Sequence, residues 1–93
     1  MSRVRVVIHG RVQGVWYRGW TVETAIALGL TGWVRNRRDG SVEALFVGPQ
    51  DRIDDMLARC RQGPRAARVA SVEPSPEAVP NPLPVGFDSL PTA

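Results

Sequence analysis

Residues 31–47 read T-G-W-V-R-N-R-R-D-G-S-V-E-A-L-F-V. Asp39-Gly40 is a strong hairpin signal, because both residue types tolerate the positive φ that a tight two-residue turn demands. The run from Thr31 to Arg37 is therefore expected as one strand, and Ser41 to Val47 as its antiparallel return. In the second strand Val42, Ala44 and Phe46 fall on one side at a period of two and form the expected inward face.

Upstream of this hairpin, Trp20 to Leu28 reads as a helix in which Val22, Ala25, Ile26 and Gly29 share a stripe. Gly29 is placed to end it in a left-handed cap. Before that, Arg3 to His9 alternates, with Val4, Val6 and Ile8 on one side, which predicts a strand with one buried face. Downstream, Gly48-Pro49 breaks the chain, and Asp51 is expected to cap a second helix running to about Arg61. Ile53, Leu57 and Cys60 point inward, and Gly63-Pro64 stops the helix. Arg68 to Val72 is a modest fourth strand. Pro74 to Pro84 holds five of the eight prolines and is expected as an extended surface loop, within a proline-rich segment 74–86. Phe87 to Leu90 is a short last strand before Pro91.

The order strand, helix, strand, strand, helix, strand predicts an α+β fold of ferredoxin-like βαββαβ type. Its sheet is expected to be antiparallel, of four to five strands, with two helices on one face. The 93 residues fit one domain, 1–93, with no internal repeat.

Composition excludes several functions. All twelve basic residues are arginine, so no Schiff-base lysine, lysine general base or Walker-type phosphate lysine exists here. One cysteine forms no internal disulfide, and one histidine beside it makes no credible zinc set. Cys60 reads as a small buried hydrophobe and His9 as an ordinary strand residue. The net charge of +3 is spread among acids, with only Arg35, Arg37 and Arg38 clustered, so no nucleic-acid partner is expected. No apolar stretch approaches the roughly 20 residues of a membrane span, and the N-terminal run lacks a signal-peptide core. A cytoplasmic monomer is the expectation.

The most informative stretch for function is G-R-V-Q-G-V-W-Y-R, Gly10 to Arg18, between the first strand and the first helix. Two glycines, no acid and an arginine at a helix entrance describe a cradle for a phosphate-sized anion. Helix N-terminal N–H groups point at such an anion, the helix dipole adds a favourable field, and guanidinium matches phosphate oxygens two at a time. Blander readings stand beside it. Arg18 could be a solvated helix-face residue, and Asn36 a residue common near hairpins. Gly10 and Gly14 could serve only a tight turn. Trp16, Tyr17, Trp20 and Trp33 read as packing residues, with Trp16 or Tyr17 available to line the mouth of a site.

Three motifs now stand in order: G-R-V-Q-G-V-W-Y-R at 10–18, L-G-L-T-G-W-V-R-N at 28–36 and D-G-S-V-E at 39–43. Together they resemble the acylphosphatase family over roughly residues 4 to 72. The resemblance implies a small ferredoxin-like enzyme that hydrolyses the carboxyl–phosphate bond of acyl phosphates, with no metal and no organic cofactor. It implies that Arg18 binds the substrate phosphate and that Asn36 holds the attacking water. It further implies that the loop of Gly10, Arg11, Val12, Gln13, Gly14 and Val15 supplies backbone N–H groups to the phosphate oxygens. The chain departs from the family in carrying Arg37 where relatives often place a small hydroxyl residue, and in its proline-rich end. An RNA-binding module of the same topology is the alternative. It needs aromatics projecting from the central strands, and here only Phe46 lies there, on the inward side. A catalytically silent interaction domain is the other.

Overall fold

The computed structural model describes residues 1–76 and 83–93. Its elements are β1 (Ser2–Arg11), α1 (Tyr17–Ala27), β2 (Thr31–Asn36), β3 (Val42–Gly48), α2 (Gln50–Cys60), β4 (Arg68–Pro76) and β5 (Phe87–Ser89). The strands form one sheet in the order β4-β1-β3-β2-β5. Both helices pack on one face of it, and Val6, Ile8, Val34, Val42, Ala44 and Phe46 meet Tyr17, Ala25, Ile53, Met56 and Cys60 in a single buried cluster. This is the ferredoxin-like arrangement.

The hairpin forms at the expected place, but its turn is longer than two residues: the Arg37 N–H meets the Ser41 carbonyl at 2.9 Å, and of Asp39 and Gly40 only Gly40, at φ 94°, is left-handed. Asp39 accepts from the Ser41 backbone N–H at 2.9 Å and from its hydroxyl at 2.6 Å, closing the turn with an aspartate-anchored ring. Val42, Ala44 and Phe46 are fully buried. Gly29 ends α1 as expected: at φ 73° its N–H reaches the Ile26 carbonyl, and the Leu30 N–H reaches that of Ala25. That pair of bonds satisfies two carbonyls the helix end would otherwise leave open.

Four further expectations are corrected. The sheet is mixed: β5 runs parallel to β2, with Gly32, Trp33 and Val34 opposite Phe87, Asp88 and Ser89. Phe87 anchors it by stacking on Phe46 at 5.6 Å between ring centres. Helix α1 starts at Tyr17 rather than Trp20, and its buried residues are Tyr17, Thr21 and Ala25, while Ile26 is 59% exposed. Thr21 tolerates burial because its hydroxyl donates to the Tyr17 carbonyl at 2.8 Å. Asp51 does not cap α2. Pro49 occupies the cap position, and Asp51 sits in the first turn, where its charge complements the helix dipole. Met56, fully buried, shares the inward side with Ile53 and Cys60, and Leu57 is half-buried.

The fourth correction concerns the prolines. β4 continues past Val72 to Pro76, with Pro74 opposite Val6 and Pro76 opposite Val4. β4 is an edge strand, so the missing N–H groups at these alternate positions face no neighbouring strand. Residues 77–82 of the expected loop lie outside the described residues.

On the sheet face away from the helices, Glu43 is nearly buried and ion-paired to both Arg5 and Arg35, and the Arg35 guanidinium lies 4.8 Å from the Trp33 ring centre. Among the described residues, no helix is long and apolar enough to cross a membrane.

Candidate active site

The site is built where β1 hands the chain to α1. β1 runs through Gly10 and Arg11, which shortens the connecting loop to Val12–Trp16. Val12 is buried and pins the loop to the core. Gln13 then reaches across to the hairpin: its amide nitrogen donates to the Arg37 carbonyl at 2.7 Å and to the Ser41 carbonyl at 2.9 Å. Gly14, at φ 72°, turns the chain, and Trp16 at φ 65° occupies the cap position of α1 in the same left-handed conformation.

The entrance of α1 carries no side-chain cap and no acidic residue in its first turn. Its earliest N–H groups have no intrahelical acceptor, and the first such bond runs from Trp20 back to Trp16 at 3.0 Å. The positive end of the helix dipole is thus left uncompensated, unlike that of α2, which has Asp51.

A cavity of about 300 Å³ opens at this helix entrance. The loop residues Val12, Gln13 and Gly14 form one wall, and Trp16, Tyr17, Arg18 and Gly19 at the start of α1 form another. Asn36, the last residue of β2, and Ser89 of β5 complete it. The Arg18 guanidinium is half-buried and forms no ion pair or hydrogen bond among the described residues. Asn36 is fixed through its backbone carbonyl, which accepts the Ala93 N–H at 3.0 Å. Its side-chain Oδ1 is buried and has no hydrogen-bond partner. A buried amide oxygen without a donor is costly and rare, and points to a ligand or water that fills the position.

Neither titratable neighbour offers proton or nucleophilic chemistry. The Tyr17 hydroxyl donates to the Cys60 carbonyl at 2.7 Å, and burial holds the phenol well above its ordinary range. Burial also pushes the Cys60 thiol up to about 12, against the lowering effect of the Tyr17 hydroxyl. Among the described residues, no group of three His, Cys, Asp or Glu side chains could hold a metal ion. The cavity can therefore fix an anion through guanidinium and backbone donors and offer a neutral amide beside it.

Of the candidates named from sequence, Val12, Gln13, Gly14, Arg18 and Asn36 share this cavity, while Gly10, Arg11 and Val15 are not among its lining residues. Gly10, at φ 123°, sits where the β1–β4 register shifts, and a Cβ there would run into the Arg68 carbonyl oxygen. Its glycine answers to strand pairing. Arg11 ends β1 opposite Arg68, and Val15 packs against the core. Sequence reasoning missed Ser89 and Gly19. Ser89 reaches the cavity only through the parallel pairing of β5, for which the sequence carries no periodic signal.

Comparison with known proteins is consistent along the chain. Residues 4–88 match the family model described as acylphosphatase. A Nitrobacter hamburgensis protein named acylphosphatase is 66% identical over 74 residues, covering 80% of this chain and 75% of its own. One of the same name from Rhodospirillum rubrum is 59% identical over 81 residues, covering 87% and 89%. The crystal structure of acylphosphatase from Bacillus subtilis superposes with a TM-score of 0.91 at 29% identity, covering 97% of this chain and 99% of that one.

Proposed function

This chain belongs to the acylphosphatase family, and we propose that the cavity at the α1 entrance is where it hydrolyses acyl phosphates to a carboxylate and inorganic phosphate. Arg18 and the N–H groups of the loop and first helical turn hold the phosphate, and Asn36 holds the attacking water. The observation that carries this assignment is the buried Oδ1 of Asn36 in the same cavity as the Arg18 guanidinium, both without a partner among the described residues.

The chemistry suits what these groups offer. An acyl phosphate expels a carboxylate, whose conjugate acid resembles a glutamate side chain at a pKa of about 4.3, so the leaving group departs without a proton from the enzyme. Phosphoryl transfer then needs positioning and charge stabilisation above all. The water donates one hydrogen bond to Asn36 Oδ1, which turns its lone pair toward phosphorus without deprotonating it. As the water oxygen bonds to phosphorus, the phosphorus–oxygen bond to the acyl group breaks. The water's proton passes to an oxygen of the substrate itself. A phosphate monoester, with a poorer leaving group, would lack the general acid it needs here.

We take residues 1–93 as one catalytic domain that acts as a cytoplasmic monomer. The test of the reaction course is benzoyl phosphate hydrolysis in ¹⁸O-labelled water with EDTA. Label in the phosphate supports attack at phosphorus, and label in the benzoate overturns it.

A further inference from the structure

We propose that the indole of Trp16 is the binding platform for the acyl group, biasing the enzyme toward acyl phosphates whose acyl part is flat and aromatic. The proposal rests on the assignment of the cavity to acyl phosphate hydrolysis.

Among the described residues Trp16 is the one non-glycine at positive φ. Bulky side chains are rare in that region, and a glycine would sit there without strain. The strain places a tryptophan on the lip of the cavity, and Gly19 holds it there. A Cβ at Gly19 would collide with the indole Nε1, so the ring lies against bare backbone one turn along the helix. The seat depends on both residues.

The ring is not part of the core. Trp16 is 60% exposed, whereas Tyr17, Phe46 and Phe87 are buried, and Trp33 lies beneath the Arg35 guanidinium. Of the large hydrophobic side chains exposed to solvent, Trp16 is the one that lines the cavity. Val12 and Tyr17 also line it, but both are buried in the core, and the remaining side chains there, Arg18, Asn36, Gln13 and Ser89, are polar. These suit the phosphate and the water and offer little to an apolar acyl group. In-line attack puts the water and the leaving group on opposite sides of phosphorus. Asn36 lines the cavity from β2 and Trp16 from the start of α1, so water and acyl group are offered partners from different elements. Offset-stacked or edge-to-face ring contact with the indole then favours an aromatic acyl group.

The test compares kcat and KM for benzoyl phosphate and acetyl phosphate in the wild type, Trp16→Gly and Trp16→Phe. Glycine adopts this φ without strain while deleting the platform, and circular dichroism checks that each variant is folded. The expected result is a three- to tenfold fall in the ratio of kcat/KM, benzoyl over acetyl, in Trp16→Gly, carried mainly by KM. Trp16→Phe should keep most of the ratio. An unchanged ratio in Trp16→Gly overturns the proposal, even if both activities drop together. A folded wild type inert on both substrates removes the hydrolase assignment, and the platform with it.

Discussion

Replacing Gln13 by methionine removes one nitrogen donor at constant side-chain length, and with it the clamp between the loop and the β2–β3 hairpin. Two hydrogen bonds are lost, to the carbonyls of Arg37 and Ser41. Neither carbonyl is orphaned, because Arg37 still accepts from the Gly40 N–H at 3.1 Å and Ser41 from the Arg37 N–H at 2.9 Å. The cost is therefore the net worth of two bonds, about 0.5–1.5 kcal/mol each, without a desolvation penalty. Gln13 is half-buried, which places the sum at about 1–2 kcal/mol. For a domain of this size each kcal/mol lowers Tm by roughly 4–8 °C. Turnover should suffer more than stability, because the clamp sets the loop against the strand end that carries Asn36. A displacement near 1 Å at a reacting array costs on the order of 10²-fold. Urea unfolding and kcat for benzoyl phosphate at 25 °C, where the variant stays folded, measure the two effects separately. A stability loss of this size with wild-type kcat would refute the idea that the clamp positions the site.

Two further perturbations follow from the fold. Gly10→Ala should lower the urea midpoint more than Gly14→Ala, since a Cβ at Gly10 meets β4 backbone while Gly14 opens to free space. The second should cost only the left-handed penalty of about 1–2 kcal/mol, and equal losses would contradict the assignment of Gly10 to β1–β4 pairing. For Glu43, burial raises the carboxyl pKa, but hydrogen bonds and charge from Arg35 and Arg5 outweigh it and hold the group below its ordinary value. Its contribution is thus present above the unfolded pKa of about 4.3 and is lost as pH falls through the lower folded value. Glu43→Gln should flatten the acid limb of stability measured by urea titration between neutral pH and pH 3. A limb as steep as the wild type's would sink that account.

How much of this was legible in the chain depends on how local the signal is. Asp39-Gly40, Gly29 and the alternation through Val42, Ala44 and Phe46 are short-range patterns, and they yield the hairpin, the cap and the face expected of them, although the turn is longer than two residues. The start of α1 was misplaced because it rests on a left-handed tryptophan, which no propensity favours. Pro74 and Pro76 argue against a strand until β4 is known to lie at an edge, a property of the whole sheet. The parallel pairing of a three-residue β5 is likewise non-local, and Ser89 enters the cavity only through it. At the site, the loop and Arg18 could be named from the residues themselves, and Asn36 only through the family resemblance that the three motifs carry. The division of the two glycines could not. Gly10 answers to strand register and Gly14 to the loop, and only three-dimensional neighbours tell them apart.

The most direct measurement is kcat for benzoyl phosphate together with the inhibition constant of inorganic phosphate, in the wild type, Arg18→Ala and Asn36→Ala, with folding checked by circular dichroism. Asn36→Ala should lose about 10²–10³ in kcat while phosphate binds as before, because it removes the water's partner and leaves the anion's. Arg18→Ala should lose at least as much turnover and also weaken phosphate inhibition sharply. Near-wild-type turnover in either folded variant would contradict the assignment of this cavity.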